Sequence, residues 1–291
     1  MAASVGVLAK LGIGTTSTVD SPLEFLSENI RKVRQIKDTG GIRGTRSHVA
    51  ERTRADAYTV SGSIRLNPGP VELDYLLPYI MGTNKDGSNQ FPLAETISDF
   101  YLSVDRVAKV FTYAGVKVGS ATFSSSEGGF LDVNLNLEGK TETVGNSGTF
   151  PSLTLSLLQP YIFYDAAVTI GGTTYSVRDW EVSIDNGLRP RTLNSATRTE
   201  IPATDRMVRC RVTLPYTSSE TSRYDTTTTG AAVVFTLTNG AYSLTLSLAD
   251  VQFDTESPTV GGKDEIFLSL SGQARKSGTT AELIITNDST A

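Results

Sequence analysis

The chain has 291 residues, with 26 Lys and Arg against 31 Asp and Glu, a formal net charge of −5 and a pI near 5.1. That acidic balance gives no whole-chain reason to expect nucleic-acid affinity. The single cysteine, Cys210, excludes an intrachain disulfide, and no apolar run reaches the length of a membrane span.

The first residues, MAASVGVLAKLGIGTTST, hold a small apolar stretch with one basic residue, Lys10, placed inside it. This is not the layout of a secretory signal, so residues 1 to about 20 are expected to form an arm and the protein to be cytoplasmic. Alternating apolar and polar residues then predict strands at 57–66, 107–114, 130–137, 152–158, 163–169, 175–184, 206–214, 231–238, 241–248, 265–271 and 281–287. Leu131, Val133, Leu135 and Leu137 form one such run, and Leu153, Leu155 and Leu157 another. Asn239-Gly240 separates two alternating runs and marks a hairpin.

One stretch departs from this pattern. GPVELDYLLPYIMG, Gly69 to Gly82, reads as a helix. Pro70 suits the first turn, and Glu72 and Asp74 suit the positive end of the dipole. Leu73, Leu76, Leu77 and Ile80 form a buried stripe, and Gly82 fits the C-terminal stop. Pro78 removes a backbone hydrogen bond and is expected to kink or shorten the last turn. Covering an open face of a sheet explains such a stripe.

The sequence also reads as repeated. VFTYAGVKVGSATFSSSEGGFLDVNLNLEGKTE (110–142) and VFTLTNGAYSLTLSLADVQFDTESPTVGGKDEIFLSLSGQAR (234–275) both open Val-Phe-Thr and cross a Gly-Gly loop. Within them Val118, Ala121 and Phe123 correspond to Leu248, Val251 and Phe253. Val133, Leu135, Leu137 and Gly139 correspond to Ile266, Leu268, Leu270 and Gly272. Upstream, LEFLSENIRKVRQ and DAYTVSGSIRL correspond more loosely to TYSVRDWEVSIDNGLRPR and DRMVRCRVTL. The helix then finds its counterpart in SSETSRYDTTTTG, 218–230. Two tandem units follow, 1–150 and 151–291.

The order SENIRKVRQ, GGIRGTRS, ERTRADAYTVSGSIRL, VELDYLLPYIMG, YAGVKV and SATFS, with SLTLSLADVQF and AELIITND near the C-terminus, resembles bacteriophage tail tube proteins. The resemblance is a matter of pattern from about residue 20 onward. It implies a mainly β, β-sandwich or barrel-like unit flanked by an α-helix, related to the tubes of contractile tails and type VI secretion systems. Such units stack as rings around a channel for the genome. Rings of six units are usual, so a two-unit chain implies three copies, or six if the chain is not duplicated. The resemblance also implies a virion tail location after assembly in the host cytoplasm, with tape measure and tail completion proteins as partners and DNA passing without specific binding. The weak second helix and the segment 138–160 depart from the family pattern.

Charge runs supply the candidate interface. Arg31, Lys32, Arg34, Arg43, Arg46, Arg52 and Arg54 form a basic stretch, and Asp250, Asp254, Glu256, Asp264 and Glu265 are candidate acidic partners on a neighbouring subunit or ring. Solvated loop charge explains the same residues equally well. Nucleic-acid binding is disfavoured because no aromatic residues interleave the basic ones. The one histidine, His48, lies in a basic loop with nothing resembling a nucleophile elbow around it. Cys210 and Trp180 read as core. No metal-ligand spacing or phosphate loop is present, so no enzyme, cofactor or metal is expected. The alternative from another class is a tail-tip or baseplate adhesin.

Overall fold

The computed structural model describes residues 4–146, 148–217, 230–254, 257–260 and 262–290. The first part of the chain contains β1 (Lys10–Gly14), β2 (Ser21–Leu23), β3 (Ser27–Glu28), β4 (Arg31–Asp38) and β5 (Thr53–Leu66). After them come α1 (Pro70–Met81), β6 (Gln90–Pro92), β7 (Phe100–Asp105), β8 (Lys109–Ser126), β9 (Asp132–Gly139) and β10 (Thr141–Asn146). The second part contains β11 (Ala166–Ile170), β12 (Thr173–Tyr175), β13 (Asp179–Asp185) and β14 (Met207–Pro215). It ends with β15 (Ala231–Asn239), β16 (Tyr242–Phe253), β17 (Phe267–Arg275) and β18 (Leu283–Asp288).

All pairings are antiparallel, and they join the strands into one large sheet that is not closed. Two long strands organise it. The proximal part of β8 pairs with β7 and β10, and its distal part pairs with β9 and β13. The proximal part of β16 pairs with β15 and β18, and its distal part with β17. A central run therefore reads β4–β5–β9–β8–β13–β14–β17–β16, with β3 continuing β4 along β5. To one side lie β2–β1–β7–β8–β10, and to the other β12–β11–β15–β16–β18 with β6 added to β18.

The expected closed, barrel-like unit is thus an open sheet, because β4 and distal β16 each have only one long neighbour among the described residues. The central run has two unlike faces. Ile64, Leu135, Ala121, Ile184, Cys210 and Leu270 point into the core, whereas on the other face Ser63, Asn136 and Ser120 stand in one row and Thr122, Ser183, Arg209 and Gln273 in the next.

The helix forms where expected, with Leu73, Leu76, Leu77 and Ile80 buried. Each such side chain is worth about 1.5–3 kcal/mol on full burial. Pro78 does not shorten it: α1 runs through to Met81, and Gly82 closes it in the left-handed region at φ 81°, its N–H donating to the Pro78 carbonyl at 3.0 Å. A proline this close to the C-terminus forfeits one backbone bond, which the buried stripe outweighs. Glu72 is buried, and its two carboxylate oxygens accept the N–H groups of Gly69 (2.9 Å) and Glu24 (2.7 Å). Burial pushes its carboxyl up, and these two bonds oppose the shift.

Three further expectations need correction or placement. Residues 152–158 form no strand. They lie between Pro151 and Pro160, which cannot donate to a ladder, and Leu157 is 95% exposed. Leu153 instead packs against Gly12, where a Cβ would stand 3.2 Å from its Cδ1. The expected N-terminal arm contains β1, whose Leu11 and Ile13 are buried in the core. The helix expected over 218–230 falls on 218–229, outside the described residues, as do Glu256 and Gly261.

Candidate assembly surfaces

The outer edge of β4 is the first surface. All eight residues from Arg31 to Asp38 are exposed, including Val33 and Ile36. Lys32 and Arg34 lie over the Tyr58 ring at 5.1 and 4.9 Å, and Lys32 also pairs with Glu142 at 3.3 Å. Charged residues on an edge strand discourage indiscriminate pairing with other chains. β4 and β5 together extend outward as a long hairpin. Its tip carries Arg43 and Arg46, Arg52 sits just before β5, and Arg54 lies near the start of β5.

The base of this hairpin is locked in place. Arg106 makes a two-pronged contact with Glu28 at 2.8 and 2.9 Å and donates to the Ile30 carbonyl at 2.6 Å. The buried Tyr113 hydroxyl donates to the same carbonyl at 3.0 Å. Burial pushes the Tyr113 phenol up to about 12, while the Glu28 carboxylate raises the Arg106 pKa and keeps the guanidinium charged. Gly62 allows the backbone of Ile30 to approach: a Cβ there would fall 2.3 Å from the Ile30 Cα.

The second surface is the far end of the sheet. Asp250 lies on β16, Asp254 follows it, and Asp264 and Glu265 precede β17. Among the described residues, no ion pair joins the basic stretch 31–54 to these carboxylates. Asp254 pairs with Arg209 at 2.9 Å, Arg43 with Asp38 at 2.9 Å, and Lys37 with Asp56 at 2.5 Å. The two charged sets therefore sit at opposite ends of the central run. His48 is an exposed partner of Asp38. Cys210 is buried on β14, and burial pushes its thiol up to about 12.

Sequence reasoning missed two buried amides that clamp α1 at both ends. Asn287 on β18 donates to the Pro70 carbonyl (2.8 Å) and to Asp74 (2.7 Å). Asn186, just after β13, donates to the carbonyls of Ile80 (3.2 Å) and Val118 (3.1 Å). Both amides come from the second part of the chain, so α1 packs across the two parts. Asn287 ends the predicted strand 281–287, but isolated asparagines carry no periodic signal that marks such a role.

The polar face of the central run is the third surface. Three of its arginines are ion-paired: Arg65 with Asp132 (2.5 Å), Arg211 with Asp179 (3.7 Å) and Arg209 with Asp254. No group of three or more His, Cys, Asp or Glu side chains arranged for a metal occurs among the described residues, and no helix among them is long and apolar enough to cross a membrane. Curated proteins offer no match to the chain. A family profile described as phage tail tube protein matches residues 4–274. With the match spanning both parts of the fold, the chain belongs to the phage tail tube protein family.

Proposed function

We propose that this protein is the structural subunit of a phage tail tube, a virion tail component that assembles into stacked rings and conducts the genome during ejection. The family match supports the tail tube role. The observation that carries the ring is the open central run, which ends in β4 on one side and distal β16 on the other. Unlike edges that complement each other give a heterologous contact, and such a contact closes into a ring when the rotation allows.

The chain carries two tube units in this reading. Strand pairing supports it more strongly than residue matching does. The set β2–β1–β7–β8–β10 is answered by β12–β11–β15–β16–β18, and β4–β5–β9–β8 by β13–β14–β17–β16. The same bulge recurs: β7–β8 pairing jumps from Leu102↔Tyr113 to Phe100↔Val116, and β15–β16 pairing from Val233↔Leu248 to Ala231↔Val251. This aligns Tyr113 with Leu248 and Val116 with Val251, about five residues from the sequence correspondence of Val118 with Leu248, and it leaves the two Val-Phe-Thr triplets on strands that are not counterparts, β8 and β15. The first unit is residues 1–150 and the second 151–291, with β11 as the counterpart of β1. Three chains then supply the six units of a ring.

The polar face of the central run lines the channel, and α1 seals the outside. A conduit for DNA benefits from weak phosphate contacts, since each free Lys or Arg adds salt-dependent affinity. Pairing of Arg65, Arg209 and Arg211 with carboxylates supports that role. The basic hairpin and the acidic residues Asp250, Asp254, Glu256, Asp264 and Glu265 serve contacts between subunits or rings. Tape measure and tail completion proteins are the remaining partners, with assembly in the host cytoplasm.

Native mass spectrometry of the purified protein at rising concentration tests this reading. Closed oligomers of three chains are expected. A species that stays monomeric at every concentration contradicts the tube, and a closed ring of six chains contradicts the two-unit count.

A further inference from the structure

Among the described residues, three other than glycine take a positive φ: Asn89 at 61°, Val107 at 67° and Asn194 at 48°. Asparagine tolerates this left-handed region because its short polar side chain bonds locally. Valine does not: its branched Cβ crowds the backbone there, and the residue is strained. Val107 lies in the turn between β7 and β8. The Ala108 N–H donates to the Arg106 carbonyl at 2.8 Å, two residues back. With the positive φ between them, this is the rare, strained form of γ-turn.

Contacts on either side hold the turn in this shape. The Val107 N–H donates to Asp105 Oδ1 at 2.9 Å, and the Arg106 N–H to the Lys109 carbonyl at 3.0 Å. The stronger hold is on the Arg106 side chain. Its guanidinium grips both carboxylate oxygens of Glu28, donates to the Ile30 carbonyl and lies over the Phe111 ring at 4.6 Å. Two-pronged, charge-assisted contacts are the strong ones, and with only 12% of the Glu28 side chain exposed this pair is weakly screened. The turn also has room to relax. Val107 is half-buried, and a groove of about 930 Å³ runs beside it, lined in part by Val5, Leu26, Glu28, Arg106 and Val107.

We propose that the β7–β8 turn is a spring, strained at Val107 and held by the Arg106–Glu28 clamp, which lowers the cost of releasing the base of the β4–β5 hairpin. Opening the clamp lets Val107 return to a negative φ and frees the Ile30 carbonyl that Arg106 and Tyr113 share. The strain therefore works against the clamp, and the hairpin base opens more readily than its hydrogen bonds alone allow. In the proposed tube that hairpin contacts other subunits, and a releasable base lets it adjust as they meet. This use rests on the tube reading, whereas the coupling of turn to clamp does not.

A double-mutant cycle of Val107→Gly and Arg106→Ala, unfolded in urea as monomers, tests the coupling. Glycine adopts this φ without strain, so Val107→Gly is expected to raise the wild-type midpoint. In the Arg106→Ala background the turn has already relaxed, and the rise is expected to shrink to roughly half or less. Hydrogen exchange gives the local readout. The Asn29 N–H donates to the Ser63 carbonyl at 3.0 Å beside the clamp. Its exchange is expected to be about ten-fold slower in Val107→Gly, and faster than wild type in Arg106→Ala. Glu28→Gln keeps the side-chain shape, removes the charge, and replaces Arg106→Ala if that variant does not fold.

A midpoint that Val107→Gly lowers, or raises equally in both backgrounds, overturns the spring, as does unchanged exchange at Asn29. Both readouts are made on monomers. A wild-type chain that never forms tubes thus overturns the tube reading and leaves the spring standing.

Discussion

In the two-unit reading distal β8 and distal β16 occupy matching places, yet among the described residues only the first is flanked on both sides. β8 lies between β9 and β13, whereas β16 has, among the described residues, β17 alone as its long distal neighbour. The strands that would complete each site differ in the same sense. β13 alternates buried and exposed residues, with Trp180, Val182 and Ile184 inside, while β4 is exposed throughout. A site filled within the chain has become core. In the proposed ring, the site left for another copy keeps charged side chains and an open backbone edge.

The largest expected contrast comes from truncating the internal junction. Trp180 is 1% exposed and packs on Phe235 with ring centroids 4.9 Å apart. Trp180→Ala is expected to destabilise the monomer by about 3–5 kcal/mol in urea unfolding. A loss below about 1 kcal/mol would show that β13 is not a core strand and would break the comparison. Asn186→Ala comes next: it leaves the Ile80 and Val118 carbonyls without this donor and is expected to cost about 1–3 kcal/mol in the same measurement.

At the open end the order of effects reverses. The Asp254–Arg209 pair is exposed, so Asp254→Asn is expected to change monomer stability by no more than about 1 kcal/mol. The same variant should weaken assembly and flatten its salt dependence, as light scattering across a salt series can show. The smallest effect concerns Cys210. With its thiol buried and pushed up to about 12, alkylation at pH 8 should be negligible in the folded chain and complete after denaturation. Fast labelling of the native protein would show that β14 is not covered.

Much of this fold was legible because its signals are local. The Asn239-Gly240 turn and the alternating runs around it form the β15–β16 hairpin as expected, and the apolar stripe of α1 is buried as read. The signals that failed depended on what lay across the ladder. Leu153, Leu155 and Leu157 alternate like a strand, but Pro151 and Pro160 bound the segment and it joins no ladder. β4 was not read as a strand because RKVRQIKD has the composition of an exposed edge, with no buried face to impose a period of two. The basic and acidic runs were visible in the sequence, but their separation to opposite ends of one sheet depends on the order β4–β5–β9–β8–β13–β14–β17–β16, which no local pattern encodes. The clamping of α1 by Asn186 and Asn287 likewise joins residues far apart in sequence.

The central claim is that this open sheet closes only by joining other copies edge to edge around a channel. Helical reconstruction of the assembled protein by electron cryomicroscopy tests it most directly. The account predicts a hollow tube of three chains per ring, with Ser63, Asn136 and Ser183 facing the channel, α1 on the outside, and β4 of each chain beside the end of β16 of the next. Dispersed monomers under all conditions, or a tube with α1 lining the channel, would contradict it.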